Sequence, residues 1–284
     1  MQNQSVNPLA KHFRQPAVYM TLPSGGKYWP DGTLDLPLTG QVAVYPMTTR
    51  DEITVRTPDA LLSGESVVSI IQSCCPQIKD AWKMPSIDVD ATLIAIRIAS
   101  YGQEMDIDTI CPNEECKHEN KHGLDLTAVL DGIKAPNYNK HVEVNGLKIR
   151  LKPQSYFEGN KSNLIRFEED RLISVAIDDT MDPDEKRKKY NEHMQKLVSI
   201  NLDLIVAGTE YVETSEGDQV TNPAFIKEFY DNADTKVIKA VTEKFDEFND
   251  TVALLKPKVQ CEECGTDYPV SIQFDYANFF GIAS

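Results

Sequence analysis

Two short cysteine pairs constrain this chain more than any other feature: Cys111-Pro112-Asn113-Glu114-Glu115-Cys116 and Cys261-Glu262-Glu263-Cys264-Gly265. Zinc takes four soft ligands in a tetrahedron with Zn–S bonds of ~2.3 Å. A tight turn with a cysteine at each end presents two thiolates toward one point. Gly265 permits the sharp reversal that the second turn needs. The first pair encloses four residues and the second two, so the knuckles are alike without being identical. Strand-like residues flank both pairs, 106–110 and 123–126 around the first, 258–260 and 268–274 around the second. That is the arrangement of a zinc ribbon. We therefore expect one structural zinc ion on Cys111, Cys116, Cys261 and Cys264. Four cysteines leave no open position for water or substrate, so a catalytic zinc is not expected there.

A ribbon built this way closes a loop over the whole of Lys117–Gln260. The closure entropy grows by only ~0.6 kcal/mol per doubling of loop length. Metal binding in such sites contributes ~10–16 kcal/mol in small peptides, so the loop is no obstacle. The expected role of the ion is to fasten distant parts of the chain together.

Other uses of these residues fit less well. Six cysteines in 284 residues do not make a disulfide scaffold. A redox pair normally opens a helix, whereas Cys261–Cys264 precedes a hairpin and its flanking acids disfavour a reactive thiolate. His118 and His122 have the spacing of a helical ligand pair. Yet only Lys117 separates Cys116 from His118, where a Cys2His2 finger needs about a dozen residues. Both histidines are read as exposed polar residues of the ribbon's loop. Cys74-Cys75, adjacent and beside Pro76, is read as a pair of buried free thiols.

The rest of the chain reads as α+β, in five parts. Residues 1–47 form an extended, β-rich arm, with alternating stretches at 17–22 and 41–45 around a segment rich in glycine and proline. Tyr28 and Trp29 there are candidate anchors on a neighbouring subunit. Residues 48–103 are helical. Thr49 with Glu52 offers a capping box, Asp88 or Asp90 a second cap, and Gly102 a left-handed stop after an almost wholly apolar helix. The ribbon unit combines 104–135 with 257–284. Residues 136–154 contain a β-hairpin marked by Asn145-Gly146. Residues 155–256 form the helical body. One helix face there carries Ile165, Leu172, Ile173 and Ala176. A second helix, started by Asp182-Pro183 with Glu185 and ended by Gly208, buries Tyr190, Met194, Leu197, Val198 and Ile205. Asn222-Pro223 starts a third. The last helix steps through Ile238, Val241, Phe245, Phe248, Val252 and Leu255 to a stop at Pro257.

Charge narrows the function classes. With 44 acidic and 29 basic side chains, the formal charge of −15 repels phosphate backbones. The basic run Lys186–Lys189 sits among acids and reads as a solvated helix face. No membrane-length apolar run and no signal-peptide core is visible, so we expect neither membrane insertion nor export. Ser24-Gly25-Gly26-Lys27 lacks the first glycine and the hydroxyl residue of a phosphate loop, and no GxSxG, HExxH or GxGxxG pattern occurs. The chain is therefore not expected to be an enzyme.

Beyond these residue-level readings, the order of motifs resembles a known family. Leu22-Pro23-Ser24-Gly25-Gly26-Lys27-Tyr28-Trp29 is followed by Tyr45-Pro46-Met47-Thr48-Thr49-Arg50-Asp51-Glu52 and then by Thr57-Pro58-Asp59-Ala60-Leu61-Leu62-Ser63-Gly64. The apolar helix ending Ser100-Tyr101-Gly102 and the first cysteine knuckle come next. Over residues 17–130 in particular the chain is similar to the baseplate hub proteins of T-even-type contractile-tailed bacteriophages. The resemblance implies a non-enzymatic part in building the tail baseplate, at or near the hub. It implies other baseplate and hub proteins as partners, a place in the virion, and assembly in the host cytoplasm. An assembly factor that leaves before the virion is complete is the alternative role within the same family.

Overall fold

The computed structural model describes residues 7–55, 64–177, 182–252 and 258–269. Two hydrophobic cores and a small ribbon account for these residues. The first core is built from β1 (Val18–Met20), β2 (Val42–Val44), α2 (Glu65–Cys74) and α3 (Ser86–Tyr101), with α1 (Thr49–Val55) lying against α2. β1 and β2 pair antiparallel, Val18 opposite Val44. α3 explains the position of everything around it. Leu93, Ile94, Ala95 and Ile96 are all fully buried, as a helix apolar on every side must be in a protein centre. Gly102 ends it at φ 90°, a value that favours glycine. Its ψ of 175° is extended, so the stop is not the left-handed cap the sequence suggested.

After α3 the chain forms β3 (Glu104–Ile110) and β4 (Glu119–Asp125), paired antiparallel along their full length, then α4 (Leu126–Gly132). Asp125 accepts the Thr127 N–H and caps α4. Met105, Leu124 and Leu126 root the base of this hairpin in the first core.

The second core lies under a four-stranded antiparallel sheet. Its order is β5 (Val142–Val144), β6 (Leu147–Leu151), β7 (Thr209–Glu213), β8 (Gln219–Val220). Asn145 and Gly146 both take positive φ, 52° and 78°, as a two-residue hairpin turn requires. Between β6 and β7 run α5 (Tyr156–Asn160), α6 (Ser162–Ile177) and α7 (Pro183–Ala207); α8 (Pro223–Asp231) and α9 (Thr235–Val252) follow β8. Asp182 accepts from the N–H groups of Asp184 and Glu185 at the start of α7, and Asn222 accepts from Ala224 at the start of α8, so both predicted caps are present. Val237, Val241 and Phe248 bury one face of α9, with Ile238 and Phe245 packed beside them. The predicted face of α9 is thus essentially the observed one; the side chain of Val252, together with Leu255 and Pro257, lies outside the described residues.

Several expectations need correction. The capping box of α1 sits one residue earlier than expected: the Thr48 hydroxyl accepts from Asp51 N–H, and the Asp51 carboxylate accepts from Thr48 N–H and Oγ1. Asp88 and Asp90 lie inside α3 and do not cap it; Pro85 precedes the helix with no side-chain cap. Among the described side chains of α6, Glu168, Leu172 and Val175 are buried, while Ile173 and Ala176 are exposed. Tyr190 and Val198 of α7 are exposed too, and Leu204 and Ile205 carry its buried end. The two helices pack on each other through a polar contact that periodicity does not show. Buried Glu168 lies 2.6 Å from His193 Nδ1 and 2.5 Å from Lys196 Nζ. Ile165 has its side chain outside the described set.

The arm is the largest correction. Residues 17–47 do not extend from the body but are part of it. Met20, Leu22, Val42 and Val44 are buried in the first core, with Trp29 packed against them. Tyr28 contacts the Tyr138 ring edge-on at 5.5 Å in the second core. Tyr28 and Trp29, both half-buried, therefore pack one against each core. Arg14 anchors the segment before β1, donating to the carbonyls of Pro46 and Ser73 at 2.7 Å each and facing Asp51 at 3.4 Å.

Gly208 closes α7 at φ −83°, a conformation open to any residue. Its role is proximity. A Cβ at this position would come within 2.7 Å of Phe245 Cε1, and closer still to Cζ. We expect Gly208→Ala to force the Phe245 ring out of the second core and to lower stability by ~1–3 kcal/mol. Urea denaturation checks this, and a variant as stable as the parent would remove the packing argument.

Candidate metal centre

The four cysteines named from the sequence meet at one point. The Sγ atoms of Cys111, Cys116, Cys261 and Cys264 all lie within 4.8 Å of one another. Cys111 and Cys264 are 3.6 Å apart and Cys116 and Cys261 3.8 Å, far longer than a disulfide bond of ~2.05 Å. A tetrahedron with bonds of ~2.3 Å places its sulfurs ~3.8 Å apart, so the donor set fits a tetrathiolate metal. Four cysteines therefore form a cluster that can bind a metal ion.

Each knuckle is shaped by its own backbone. The first hangs from the tip of the β3–β4 hairpin, where Cys111 N–H donates to the His118 carbonyl, and Cys116 and Lys117 both donate to Asn113 O. The second joins β9 (Lys258–Gln260) to β10 (Asp267–Pro269), which pair antiparallel with Tyr268 opposite Val259. There Cys261 N–H donates to Thr266 O and Gly265 N–H donates to Cys261 O. Gly265 takes φ 70°, as the sequence implied. Lys117 takes φ 46° in the corresponding place after Cys116, a left-handed position without a glycine to mark it. The strand expected over 268–274 is described as far as Pro269, and the rest of that expectation lies outside the described residues.

The sulfurs differ in setting. Cys111 and Cys261 are buried, Cys116 is half-buried and Cys264 is exposed. Hydrogen bonds from the Thr266 hydroxyl and N–H hold the Cys264 thiol down to about 6. The Cys264 N–H, with help from Asn120, lowers that of Cys261. Burial pushes Cys111 up to about 12. The second knuckle thus favours thiolates while the first resists unpaired charge, and a divalent cation would relieve that resistance.

Neither histidine joins the cluster. His122 lies in β4, half-buried and not in the loop as expected, with Nε2 3.3 Å from Tyr268 Oη. His118, also half-buried, supplies its carbonyl and not its ring. Cys74 and Cys75 are free and buried as expected, and burial raises the thiol of Cys74 to about 12. One participant was not visible in the sequence: Asn120, buried at 3% exposure directly beneath the sulfurs.

The model of the family described as T4 bacteriophage base plate protein matches residues 18–281, and the chain belongs to that family. It is a structural protein of the phage tail baseplate. No curated protein and no solved structure matches it. Among the described residues no helix is long and apolar enough to cross a membrane.

Proposed function

We propose that this chain is a hub or hub-proximal component of the baseplate, joining neighbouring baseplate proteins during assembly, with a structural zinc ion stapling its fold. The family match over 18–281 is the observation that carries the reading. The four sulfurs support the zinc part, because soft thiolates at tetrahedral spacing select zinc over hard cations. When bound, zinc supplies a crosslink and no chemistry, since every coordination position is taken by a cysteine. The role is accordingly non-enzymatic, and the partners are other baseplate proteins. Neither nucleic acid nor a membrane figures among them, in keeping with the net charge of −15.

Affinity purification of a tagged chain from infected cells tests the joining role. Other baseplate proteins are expected to co-purify in fixed ratio, and recovery of the chain alone would sink the proposal. Mass spectrometry of purified particles then separates a retained component, whose peptides are abundant, from an assembly factor, whose peptides are absent.

A further inference from the structure

Asn120 touches both halves of the ribbon at once. It sits on β4 opposite Thr109 of β3. Its Oδ1 accepts the Glu262 N–H at 2.9 Å, inside the second knuckle. Its Nδ2 lies 3.6 Å from Cys261 Sγ, 3.3 Å from Tyr268 Oη and 3.0 Å from the His118 carbonyl. The orientation of the amide is fixed by these partners. Flipping it would set two donors, Nδ2 and the Glu262 N–H, against each other and turn an oxygen toward the sulfur. Tyr268 is held in turn by Thr109 Oγ1 at 2.7 Å and faces His122 Nε2 at 3.3 Å. Thr109, Asn120 and His122 all belong to the first half of the ribbon; Cys261, Glu262 and Tyr268 belong to the second. The polar layer beneath the sulfurs is therefore an interlock between segments more than 140 residues apart in sequence.

We propose that Asn120 is the positioning residue of the metal centre: its amide latches the second knuckle onto the first and sets how long the ion is retained. This rests on the zinc reading above. Two physical effects act together. The carboxamide oxygen holds the Glu262 backbone so that Cys261 and Cys264 face Cys111 and Cys116 without searching. The amide N–H donates toward the Cys261 thiolate and so spreads the negative charge of a tetrathiolate that also sits beside Glu262 and Glu263.

The full chain, loaded with one equivalent of Co2+ or Zn2+, tests the latch. The parent is expected to hold one Co2+ with the sulfur-to-cobalt charge-transfer bands of a tetrathiolate site. Asn120→Asp keeps the acceptor for Glu262 N–H but turns an anionic oxygen on the sulfur. It is expected to bind the same single ion, to shift the charge-transfer bands, and to surrender zinc to a chelator ~10–100-fold faster. Asn120→Ala is expected to fall between the two. Unshifted bands with release rates within about twofold of the parent would overturn the latch while leaving the zinc site standing. A parent chain that binds no Co2+ would overturn the zinc reading and the latch with it. If Asn120→Asp loses its far-UV circular dichroism, Tyr268→Phe takes its place, removing one hydroxyl from the interlock. Zinc release several-fold faster is expected for it, and release at the parental rate refutes the proposal.

Discussion

Cys261→Ser is expected to lose the metal ion and to free the β9–β10 hairpin from β3–β4. Cys261 is the buried sulfur of the second knuckle and Cys264 the exposed one, and losing Cys261 leaves three thiolates for a tetrahedral ion. Among the described residues, the polar layer around Asn120 and a small apolar cluster also hold the ribbon. Its apolar cluster consists of Cys111, Cys261 and Tyr268, with Cys116 and Val259 alongside. A ligand present at about a thousand times its dissociation constant stabilises the folded state by ~4 kcal/mol. At ~4–8 °C per kcal/mol for a unit of about 60 residues, its loss lowers the melting temperature of the ribbon by ~16–32 °C. Elemental analysis and hydrogen exchange read the two effects separately. Metal content is expected to fall to zero, and exchange to rise in β9, β10 and β4. The root of the hairpin around Met105 and Leu124 stays protected, since these residues pack into the first core. Cys75→Ala, in a cysteine far from the cluster, is expected to keep the full metal content. A Cys261→Ser chain that retained one ion and the parental melting curve would end the ligand assignment.

The four clustered cysteines could be read from the sequence because cysteine at such spacing has few other uses in a chain of this kind. Asn120 could not. An asparagine among Glu119, Lys121 and His122 looks like any polar strand residue, and its partners Cys261 and Glu262 come much later in the chain. The same division runs through the fold. Local chemistry identified the Asn145-Gly146 turn, the Asp182 cap and the Asn222 cap, because each is satisfied within a few residues. Helix faces were harder. Ile173, Tyr190 and Val198 are exposed because α6 and α7 meet through Glu168, His193 and Lys196, a polar contact that apolar periodicity does not reveal. The arm was misread for a related reason. Glycine and proline mark where regular structure stops, but they do not show where the backbone groups of an irregular segment find partners. In this chain Ser24 finds its partner in Asp88, on the central helix.

Asp88 consequently ties the segment of Ser24 and Trp29 to the central helix of the first core. It is completely buried and accepts from Ser24 N–H at 2.7 Å, from the Ser24 hydroxyl at 2.5 Å and from Trp29 Nε1–H at 2.9 Å. Asp88→Ala would strand those donors, each at a cost of ~1–3 kcal/mol where water cannot reach it. Part of that loss is offset, because burial pushes the Asp88 carboxyl up to about 6, so keeping it ionised at neutral pH already opposes folding. Raised from ~3.9 in the unfolded chain, such a group contributes stability that is complete below pH ~4 and lost as pH rises through about 6, roughly 3 kcal/mol in all. Asp88→Ala is therefore expected to cost ~2–4 kcal/mol at pH 7.5 and more at pH 5, where the parent has gained and the variant has not. Asp88→Asn separates the two contributions. It stays neutral at every pH, so it flattens that part of the profile, and it keeps an acceptor for Ser24 N–H while turning a second donor on Trp29 Nε1–H. Urea denaturation at the two pH values decides the matter. Equal stability of Asp88→Ala and parent at both would show that Leu22–Trp29 holds its place without the carboxylate. A loss that grows as the pH falls would tie the segment to α3 through this one side chain, and the packing of Tyr28 and Trp29 against the two cores would then follow from it.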